Sequence, residues 1–281
     1  MIHTRVGPAC VVAAIACFSV SCRAPAQTAS RSTPEGLQLL HRMQDALGGA
    51  DRIAAIRDYE ETVQARAWNP DGSPLGQFRK RTRWMREPNL IRLDQIGPRG
   101  TYVLFYDGSA GAGWEILPDM NGSDPLRTTG EAVDLTGGEL QFAQHYLSGF
   151  QFNKWLADRI PGFTVSSPAP NVLRIAHGDD ATDLTLDPAT WLPIKSAGVS
   201  LADPDHPVRA ELHYEAWTTV AGIRFPTRRI NYHEGLKLGE ITDAAIRINI
   251  GLTPQQLGAK PADFMPDVPR PTGAGASGSS I

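Results

Sequence analysis

The sequence predicts a mainly β protein with a few helices, built on one large antiparallel sheet. Strand-like segments follow one another from residue 184 to residue 250, with turns between them and no helical segment. In the clearest of these, 208–217, apolar and polar residues alternate with the period of a strand that buries one face. The helical segments elsewhere are too few and too short to cover such a sheet. We therefore expect the sheet to curl around a cavity that binds an apolar ligand.

Length and composition are those of an ordinary globular protein. The chain has 281 residues, of which 41% are hydrophobic and 20% are charged, and its net charge is −3. One large β domain is favoured over two small ones, because barrels and sandwiches often exceed about 200 residues. The charge balance gives no reason to expect a nucleic-acid partner, and we expect a monomer.

Residues 1–26 have the pattern of an export signal. A mildly basic start precedes an apolar run, 6–20, that is too short to span a bilayer as a mature helix. The sequence predicts two alternative cleavage sites. Segment 18–22 resembles a bacterial lipobox, although Ser19 stands where Leu is usual, and would leave a lipidated Cys22 that anchors the protein to the outer membrane. Segment 24–26 is an A-x-A site, and cleavage there would give a soluble periplasmic protein.

All three cysteines, Cys10, Cys17 and Cys22, lie within this signal. The mature domain therefore has no thiol pair for a disulfide, and no cysteine for a metal site or a nucleophile. Its stability must come from the packing of its core.

A linker, 27–32, leads into a single predicted domain, 33–265. Thr33 followed by Pro34 is typical of a helix start, and apolar residues at three- and four-residue spacing predict a helix that ends before Gly48. A second short helical piece is expected at 51–56.

Strands are predicted from Tyr59 onward. A turn at 69–72 joins the first strand to a second at 77–85, and a strand at 101–106 is apolar on both sides. Further short strands precede the long run that ends at residue 250. A short capped helix is expected at 253–257, and a Pro/Gly/Ser-rich tail, 266–281, is expected to be disordered.

The apolar positions of these strands are the candidate wall of the cavity. They are Val63, Phe78, Trp84, Ile91, Leu93, Trp114, Ile116, Leu184, Leu186, Leu212, Tyr214, Ile223 and Phe225. Periodicity alone fits a filled core equally well, because it reports which side chains face inward and not whether the interior is hollow.

One helical segment, 138–157, interrupts the strands and is a candidate lid. Leu140, Leu147 and Phe150 lie along its apolar stripe and would face the sheet. The pair Gly137 and Gly138 provides a hinge.

Catalysis has little support in the sequence. The pair His233 and Glu234 lacks the second His of the zinc motif H-E-x-x-H, and no G-x-S-x-G is present. Ser148 lies in a helical pattern instead of a strand-turn-helix elbow. We therefore expect no catalytic residue, no metal and no cofactor. A hydrolase stays as a minor alternative, since a triad is defined by geometry and not by spacing.

Four local motifs in this order resemble the LolA/LolB-like superfamily of periplasmic lipoprotein carriers and receptors, and within it the outer-membrane lipoprotein-sorting proteins. They are the helix end ALGGADRI at 46–53, the hairpin at 106–118, the hairpin LDPATWLP at 186–193 and the ending at 248–264. The resemblance implies an unclosed antiparallel β-barrel of roughly eleven strands, with a helical lid over an apolar cavity that receives acyl chains.

The same resemblance implies a function in the bacterial cell envelope. It predicts non-catalytic binding of a lipid or of the acyl chains of a lipoprotein, in lipoprotein sorting or lipid transfer. The alternative is an envelope stress sensor of similar fold, which would bind a membrane protein partner.

Overall fold

The computed structural model describes residues 31–97, 100–117, 131–200 and 207–260. The predicted export signal, with both cleavage sites and Cys22, lies outside the described residues. So does the predicted disordered tail, 266–281.

The described strands form one antiparallel sheet of thirteen strands, which confirms a mainly β protein with a few helices. The strands are β1 (Asp58–Trp68), β2 (Pro74–Met85), β3 (Leu90–Gly97), β4 (Gly100–Asp107), β5 (Ala112–Ile116), β6 (Val133–Asp134), β7 (Phe163–Ala169), β8 (Val172–His177), β9 (Asp180–Leu186), β10 (Pro193–Ser200), β11 (Val208–Val220), β12 (Ile223–His233) and β13 (Leu236–Ile248). The sheet therefore has more strands than the roughly eleven that the sequence predicted. The two-residue strand β6 is too short to produce an alternation that sequence analysis could detect.

Five helices accompany the sheet in the described residues. They are α1 (Pro34–Leu47), α2 (Ala50–Ala54), α3 (Gly137–Ser148), α4 (Gln151–Trp155) and α5 (Pro254–Gly258). The helix predicted at 138–157 is therefore two helices, because the chain leaves the helical conformation at Gly149 and Phe150 before α4 begins. The capped helix predicted near 253–257 is confirmed, with Thr253 and Gln256 forming a reciprocal capping box.

The sheet is assembled from two series of hairpins that meet at its centre. Strands β1 to β6 follow one another outward on one side, strands β13 to β7 follow one another on the other side, and β1 pairs with β13 between them. The outermost strands, β6 and β7, do not pair with each other, so the sheet is not closed into a barrel. The carboxylate of Asp58 ties the two series together, since it accepts hydrogen bonds from the backbone N–H of Ile250 at 2.7 Å and of Gly251 at 3.1 Å.

The two faces of the sheet differ in what packs on them. The face that carries Tyr59 and Trp84, which we call the inner face, packs against α1 to α4 in the main hydrophobic core. The opposite face, which we call the outer face, carries Met85 and Leu90, and these pack against Leu257 of α5. Successive residues of a strand alternate between the two faces, so the register of the strand pairs assigns every position to one of them.

An aromatic cluster fills the core beneath the helices. We call it the aromatic plug, and its members are Tyr59, Trp84, Phe150, Phe152, Trp155 and Phe225. The ring of Phe152 lies at its centre, 5.2 Å from Tyr59, 5.1 Å from Trp84 and 5.5 Å from Trp155, measured between ring centroids. Tilted and edge-to-face contacts at these distances are the arrangements that aromatic rings favour.

Helix α1 lies close against the edge strand β7. Its N-cap is Thr33, as predicted, whose hydroxyl accepts from the N–H of Gly36 at 3.1 Å. The N–H of Thr33 donates to the carbonyl of Val165 in β7 at 2.8 Å. A Cβ atom on Gly36 would lie 2.6 Å from Cα of Ser166, so this close approach requires glycine.

A buried ion-pair network holds α5 on the outer face. Asp94 is fully buried and accepts from Arg83 at 2.7 Å and from Arg92 at 2.9 Å. Arg92 also donates to the carbonyl oxygens of Leu257 and Ala259 at the end of α5. The two arginines neutralise the carboxylate and satisfy the last carbonyls of the helix at the same time.

Within the described ranges, none of the five helices has the length and the apolar character needed to cross a membrane.

Replacing Phe152 with Ala should lower the free energy of unfolding by about 3–5 kcal/mol, because it removes the ring on which the aromatic plug converges. Replacing the half-buried Phe142 of α3, which makes one ring contact at 6.0 Å, is the matched control and should cost about 1 kcal/mol. Urea denaturation followed by tryptophan fluorescence measures both values. Equal losses for the two variants would show that the plug does not dominate the core.

Candidate functional site

The inner face carries nearly all of the residues predicted to line a cavity. The strand registers place all but two of them on this face: Val63, Phe78, Trp84, Ile91, Leu93, Leu184, Leu186, Leu212, Tyr214, Ile223 and Phe225. All are buried except Tyr214, which is half-buried. They do not form a single group, because Trp84, Ile91 and Phe225 belong to the main core while Val63 and Phe78 belong to a separate cluster.

The two exceptions, Trp114 and Ile116, lie on the outer face. Trp114 pairs with Phe105 and Ile116 pairs with Val103, and these four residues pack together there. The side chain of Trp114 also stacks with the guanidinium of Arg92, which lies 5.6 Å from the ring centroid. The shared face predicted for them was wrong because the apolar side of β5 packs on the outer face, while Gly113 and Glu115 occupy its inner-face positions. The neighbouring strand β4 is apolar on both sides, so it gave no signal for which side of β5 faces the helices.

The predicted lid residues lie against the main core. Leu147 and Phe150 are buried in it, and the half-buried Leu140 packs at its margin. Phe150 belongs to the aromatic plug and stands at the N-cap of α4, not on α3. The sequence analysis did not single out Phe152, which lies at the centre of the plug. Its spacing of three residues from Trp155 within the helical segment was the signal that could have indicated it.

A second apolar region of the inner face contains no helical residue. We call it the small-residue patch, and its buried members are Val63, Ala65, Ala67, Phe78, Ile241 and Ala244. All of them come from the adjacent strands β2, β1 and β13. Three alanines, together with Gly239 opposite Ala67, keep the side chains on these strands short. The patch is therefore apolar and built from small side chains, and none of the described helices packs against it.

A band of buried polar side chains separates the small-residue patch from the aromatic plug. We call it the polar belt. Its centre is an ion pair between Glu61 and Arg229, with an N···O distance of 2.6 Å and almost no exposure of either side chain. Lys80 on the neighbouring strand is fully buried. Charged groups are costly to bury unless they are paired, so their presence on an otherwise apolar face calls for a physical reason.

Three further members of the polar belt have side-chain oxygens that lack a hydrogen-bond partner. They are Oγ1 of Thr82, Oε1 of Gln95 and Oδ1 of Asn231. Buried polar atoms in proteins are nearly always hydrogen-bonded, and an unpaired one costs about 1–3 kcal/mol. The sequence did contain a signal for the belt, because Glu61, Lys80 and Arg229 fall at positions where the alternation requires an apolar residue.

The first turn of α3 lies near an acidic group of the inner face. Tyr102 donates to Glu115 at 3.0 Å, and both side chains are buried. Burial raises the pKa of Glu115, and the nearby carboxylate of Glu139 on α3 raises it further. Burial likewise raises the pKa of Tyr102, so its hydroxyl keeps the proton that it donates. The carboxylates of Glu115 on the sheet and Glu139 on α3 repel each other when both are ionised, which weakens the attachment of the first turn of α3 to the sheet.

In the described part of the chain, no group of three or more His, Cys, Asp or Glu side chains is placed to hold a metal ion.

Comparison with known proteins gives a likeness of fold. No family model matches the chain, and no curated protein matches its sequence. The crystal structure of a DUF1329 family protein from Desulfovibrio piger superimposes with a TM-score of 0.52 at 14% identity, over 81% of this chain and 98% of that one. The crystal structure of a LolA superfamily protein from Nitrosomonas europaea superimposes with a TM-score of 0.50 at 12% identity, over 80% and 97%. An unclosed antiparallel sheet with helices on its inner face, matched over nearly the whole length of these two structures, shows that the chain has a LolA-like fold.

Proposed function

We propose that the protein binds a lipid, or the acyl chains of a lipoprotein, on the inner face of its sheet and that it does so without catalysing a reaction. The observation that carries the proposal is the small-residue patch. Three central strands present buried apolar side chains, and none of the described helices packs against them. An acyl chain is the occupant whose apolar chemistry suits a surface formed by strand side chains alone.

Burial of methylene groups supplies the affinity. Each methylene that leaves water contributes about 0.8 kcal/mol, so a long acyl chain gains on the order of 10 kcal/mol before the cost of ordering it is subtracted. No reactive group is needed for such binding. Transfer to an acceptor requires only that the two sites differ in affinity.

The polar belt supports a lipid over a plain hydrocarbon. A chain lying on the patch would bring its polar end to the belt, where the ion pair of Glu61 with Arg229 and the unpaired oxygens of Thr82 and Asn231 lie. The amide and hydroxyl groups at the head of a lipid can donate to these oxygens, and an ester carbonyl can accept from the hydroxyl of Thr82, whereas an alkane would leave the atoms unpaired. The belt therefore provides the reason for keeping charged residues on this face.

Helices α3 and α4 are proposed to control access to the inner face. They already bury Leu147 and Phe152 against the sheet, so a ligand that extends toward the aromatic plug must displace them. Short helices of this length have little stability of their own and depend on tertiary packing. Opening then costs only what that packing contributes, which permits exchange of the ligand.

Anchoring to the outer membrane through a lipidated Cys22 is proposed from the lipobox-like segment. The structured domain begins close behind this residue, because the backbone of Thr33 is already bonded to β7. Ten residues separate Cys22 from Thr33. A tether of that length would hold the domain near the membrane surface.

Replacing Ala244 with Phe should weaken the binding of a fluorescent fatty acid by about tenfold or more, because the ring occupies the volume of several methylenes on the patch. The neighbouring Ala245→Phe is the matched control, since Ala245 is exposed and lies on the opposite face of the same strand. Its affinity should equal that of the wild type. Absence of fatty-acid binding by the wild type, with Ala244→Phe unfolding the protein, would show instead that the patch belongs to a packed core.

A disulfide between α3 and the sheet should block uptake of the fatty acid. A Cβ on Gly108 would lie 2.6 Å from Cδ2 of Leu147, so Gly108→Cys combined with Leu147→Cys brings the two cysteine side chains close together. The same Cβ would lie 2.8 Å from Nδ2 of Asn89, whose flexible side chain must shift to admit it. Uptake should fall on oxidation and recover on reduction, while Leu147→Cys alone should be insensitive to both. If a verified cross-link leaves uptake unchanged, α3 is structural and does not act as a gate.

Replacing Cys22 with Ser should release the protein from the membrane fraction, because the substitution removes the only thiol of the lipobox-like segment. Fractionation of cells that express each form, followed by immunoblotting, measures the change. A mature N-terminus at Gln27, found by N-terminal sequencing of the wild type, would contradict lipidation.

A further inference from the structure

The outer face of the sheet carries an excess of positive charge. On strands β3, β2, β1, β13, β12, β11 and β10, the strand registers and ion pairs place eleven basic and seven acidic residues on this face. The basic residues are Arg66, Arg79, Arg81, Arg83, Arg92, Lys195, Arg209, Arg224, Arg228, Lys237 and Arg247, and the acidic residues are Asp58, Glu60, Asp94, Glu211, Glu215, Glu240 and Asp243. The whole chain has 27 basic and 30 acidic residues, so positive charge is concentrated on this face.

The carboxylate of Glu60 lies deep in the outer face, and two arginines reach over it. Glu60 pairs with Arg81 at 2.6 Å and also with Arg247. The side chain of Glu60 is 5% exposed and that of Arg247 is 57% exposed, so the second guanidinium stands above the carboxylate that holds it. One basic group suffices to neutralise a buried carboxylate. The second therefore adds a positive charge at the surface.

Glu211 on β11 is shared in the same way. It pairs with Arg209 at 2.9 Å and with Lys195 at 3.6 Å. Its side chain is 22% exposed, whereas that of Arg209 is 67% exposed. The carboxylate again lies beneath the guanidinium, and the group of three keeps a positive charge.

Glu240 on β13 has the same position beneath its partners. It is buried and pairs with Arg228 at 2.7 Å and with Lys237 at 2.6 Å. Arg228 also pairs with the exposed Glu215 at 2.9 Å, so this group is balanced in charge. Its carboxylate still lies below the guanidinium, which leaves the basic group as the one nearer to solvent.

The outer-face charges that solvent reaches are therefore almost all positive. Glu215 is the one exposed acid among the described side chains of these seven strands on this face. The exposed basic residues are Arg66, Arg209, Arg224, Arg228 and Arg247. They come from four adjacent strands, β1, β13, β12 and β11, and neighbouring strands lie about 4.8 Å apart. The positive charges are thus spread over a broad area instead of converging on one point.

The composition of this area favours a membrane over a protein partner. On β1, the outward positions between Glu60 and Arg66 are Thr62 and Gln64. A stable protein interface concentrates its binding energy in large apolar or aromatic side chains at its centre. A broad basic surface without such a centre suits a partner that presents many anionic groups side by side. The phosphates of a lipid bilayer are such groups, and guanidinium binds phosphate through paired hydrogen bonds.

We propose that the outer face binds the surface of a membrane that contains anionic phospholipids, with the five exposed arginines facing the phosphate groups. The two faces lie on opposite sides of the sheet, so this contact leaves the small-residue patch on the side away from that membrane. The proposal concerns head groups that stay in the bilayer. It does not depend on the lipid binding proposed for the inner face.

Co-sedimentation of the protein with lipid vesicles tests the proposal. One set of vesicles consists of phosphatidylcholine, and in the other about one third of the lipid is phosphatidylglycerol. The partition coefficient for the anionic vesicles should be about a hundredfold higher, because each basic residue near an anionic surface contributes about fivefold. The ratio of the two coefficients cancels the effect of a lipid anchor and of acyl chains taken up by the inner face, since both act on the two sets alike. A ratio of one would overturn the proposal, and binding of poly-glutamate by the same protein would then identify an acidic protein as the partner.

Arg66→Gln combined with Arg247→Gln should lower this ratio by about twentyfold, because two of the exposed positive charges are lost. Glu60 keeps its pair with Arg81 in this variant, so no buried carboxylate is left without a basic partner. Thermal unfolding verifies that the variant folds. An unchanged ratio in the folded variant would overturn the proposal.

Arg52→Gln combined with Arg159→Gln is the matched control. Both residues are exposed and lie beside α2, which packs on the inner face, and Arg159 pairs there with Asp51 at 2.7 Å. This variant loses the same charge from the other side of the sheet and should keep the ratio of the wild type. Equal losses in the two double variants would show that net charge acts without regard to face, which would overturn the assignment to the outer face.

Fluorescence quenching identifies the face that touches the membrane. Residues 33–265 contain no cysteine, so one engineered cysteine places a fluorophore at a chosen position. Ala245→Cys places it on the outer face, and Ala55→Cys places it at the end of α2. Anionic vesicles that contain a lipid with a spin-labelled head group should quench the fluorophore at residue 245 more strongly, because nitroxide quenching acts at short range. Equal quenching, or stronger quenching at residue 55, would overturn the proposal.

Discussion

The pairing of β1 with β13 is the constraint on which the rest of the structure depends. It joins the first and last long strands of the described domain, and Asp58 secures it through backbone N–H groups 192 and 193 residues further along the chain. The two hairpin series are each local, so only this seam makes them one sheet. Its register also decides what the inner face contains. A slip by one residue would exchange Tyr59 and Val63 for charged neighbours such as Glu60 and would expose the apolar side to water.

The inner face divides into three regions with different partners. The aromatic plug is covered by helices, the polar belt carries a buried ion pair, and the small-residue patch consists of strand residues alone. A sheet of this size offers more apolar area than helices as short as α2 and α4 can cover. The belt falls between the two apolar regions, which places hydrogen-bonding groups beside a hydrocarbon surface. That combination matches an amphipathic ligand better than it matches a uniform core.

The sequence was most informative where local chemistry decides the structure. The N-cap at Thr33, the capped helix at Thr253 and the alternation in β11 as far as Tyr214 depend on neighbouring residues, and all three were predicted correctly. Bulges on either side of Ala216 interrupt the rest of the alternation predicted for 208–217. The face on which Trp114 lies was not predictable, because the alternation in β5 separates Trp114 from Glu115 but does not tell which side of the strand faces the helices. The aromatic plug was recognised only in part. Its members come from two strand series and from α4, and a meeting of side chains so distant in sequence depends on the register of the whole sheet.

Helix α4 depends on the aromatic plug for its position. Its single turn carries Phe152 and Trp155, which both belong to the plug. A helix of five residues cannot hold its own conformation in water, so its position is set by what its side chains contact. Movement of α4 away from the sheet must therefore break the ring contacts of Phe152 with Tyr59 and Trp84. The same rings that complete the core thus set the free energy that any opening of the inner face must overcome.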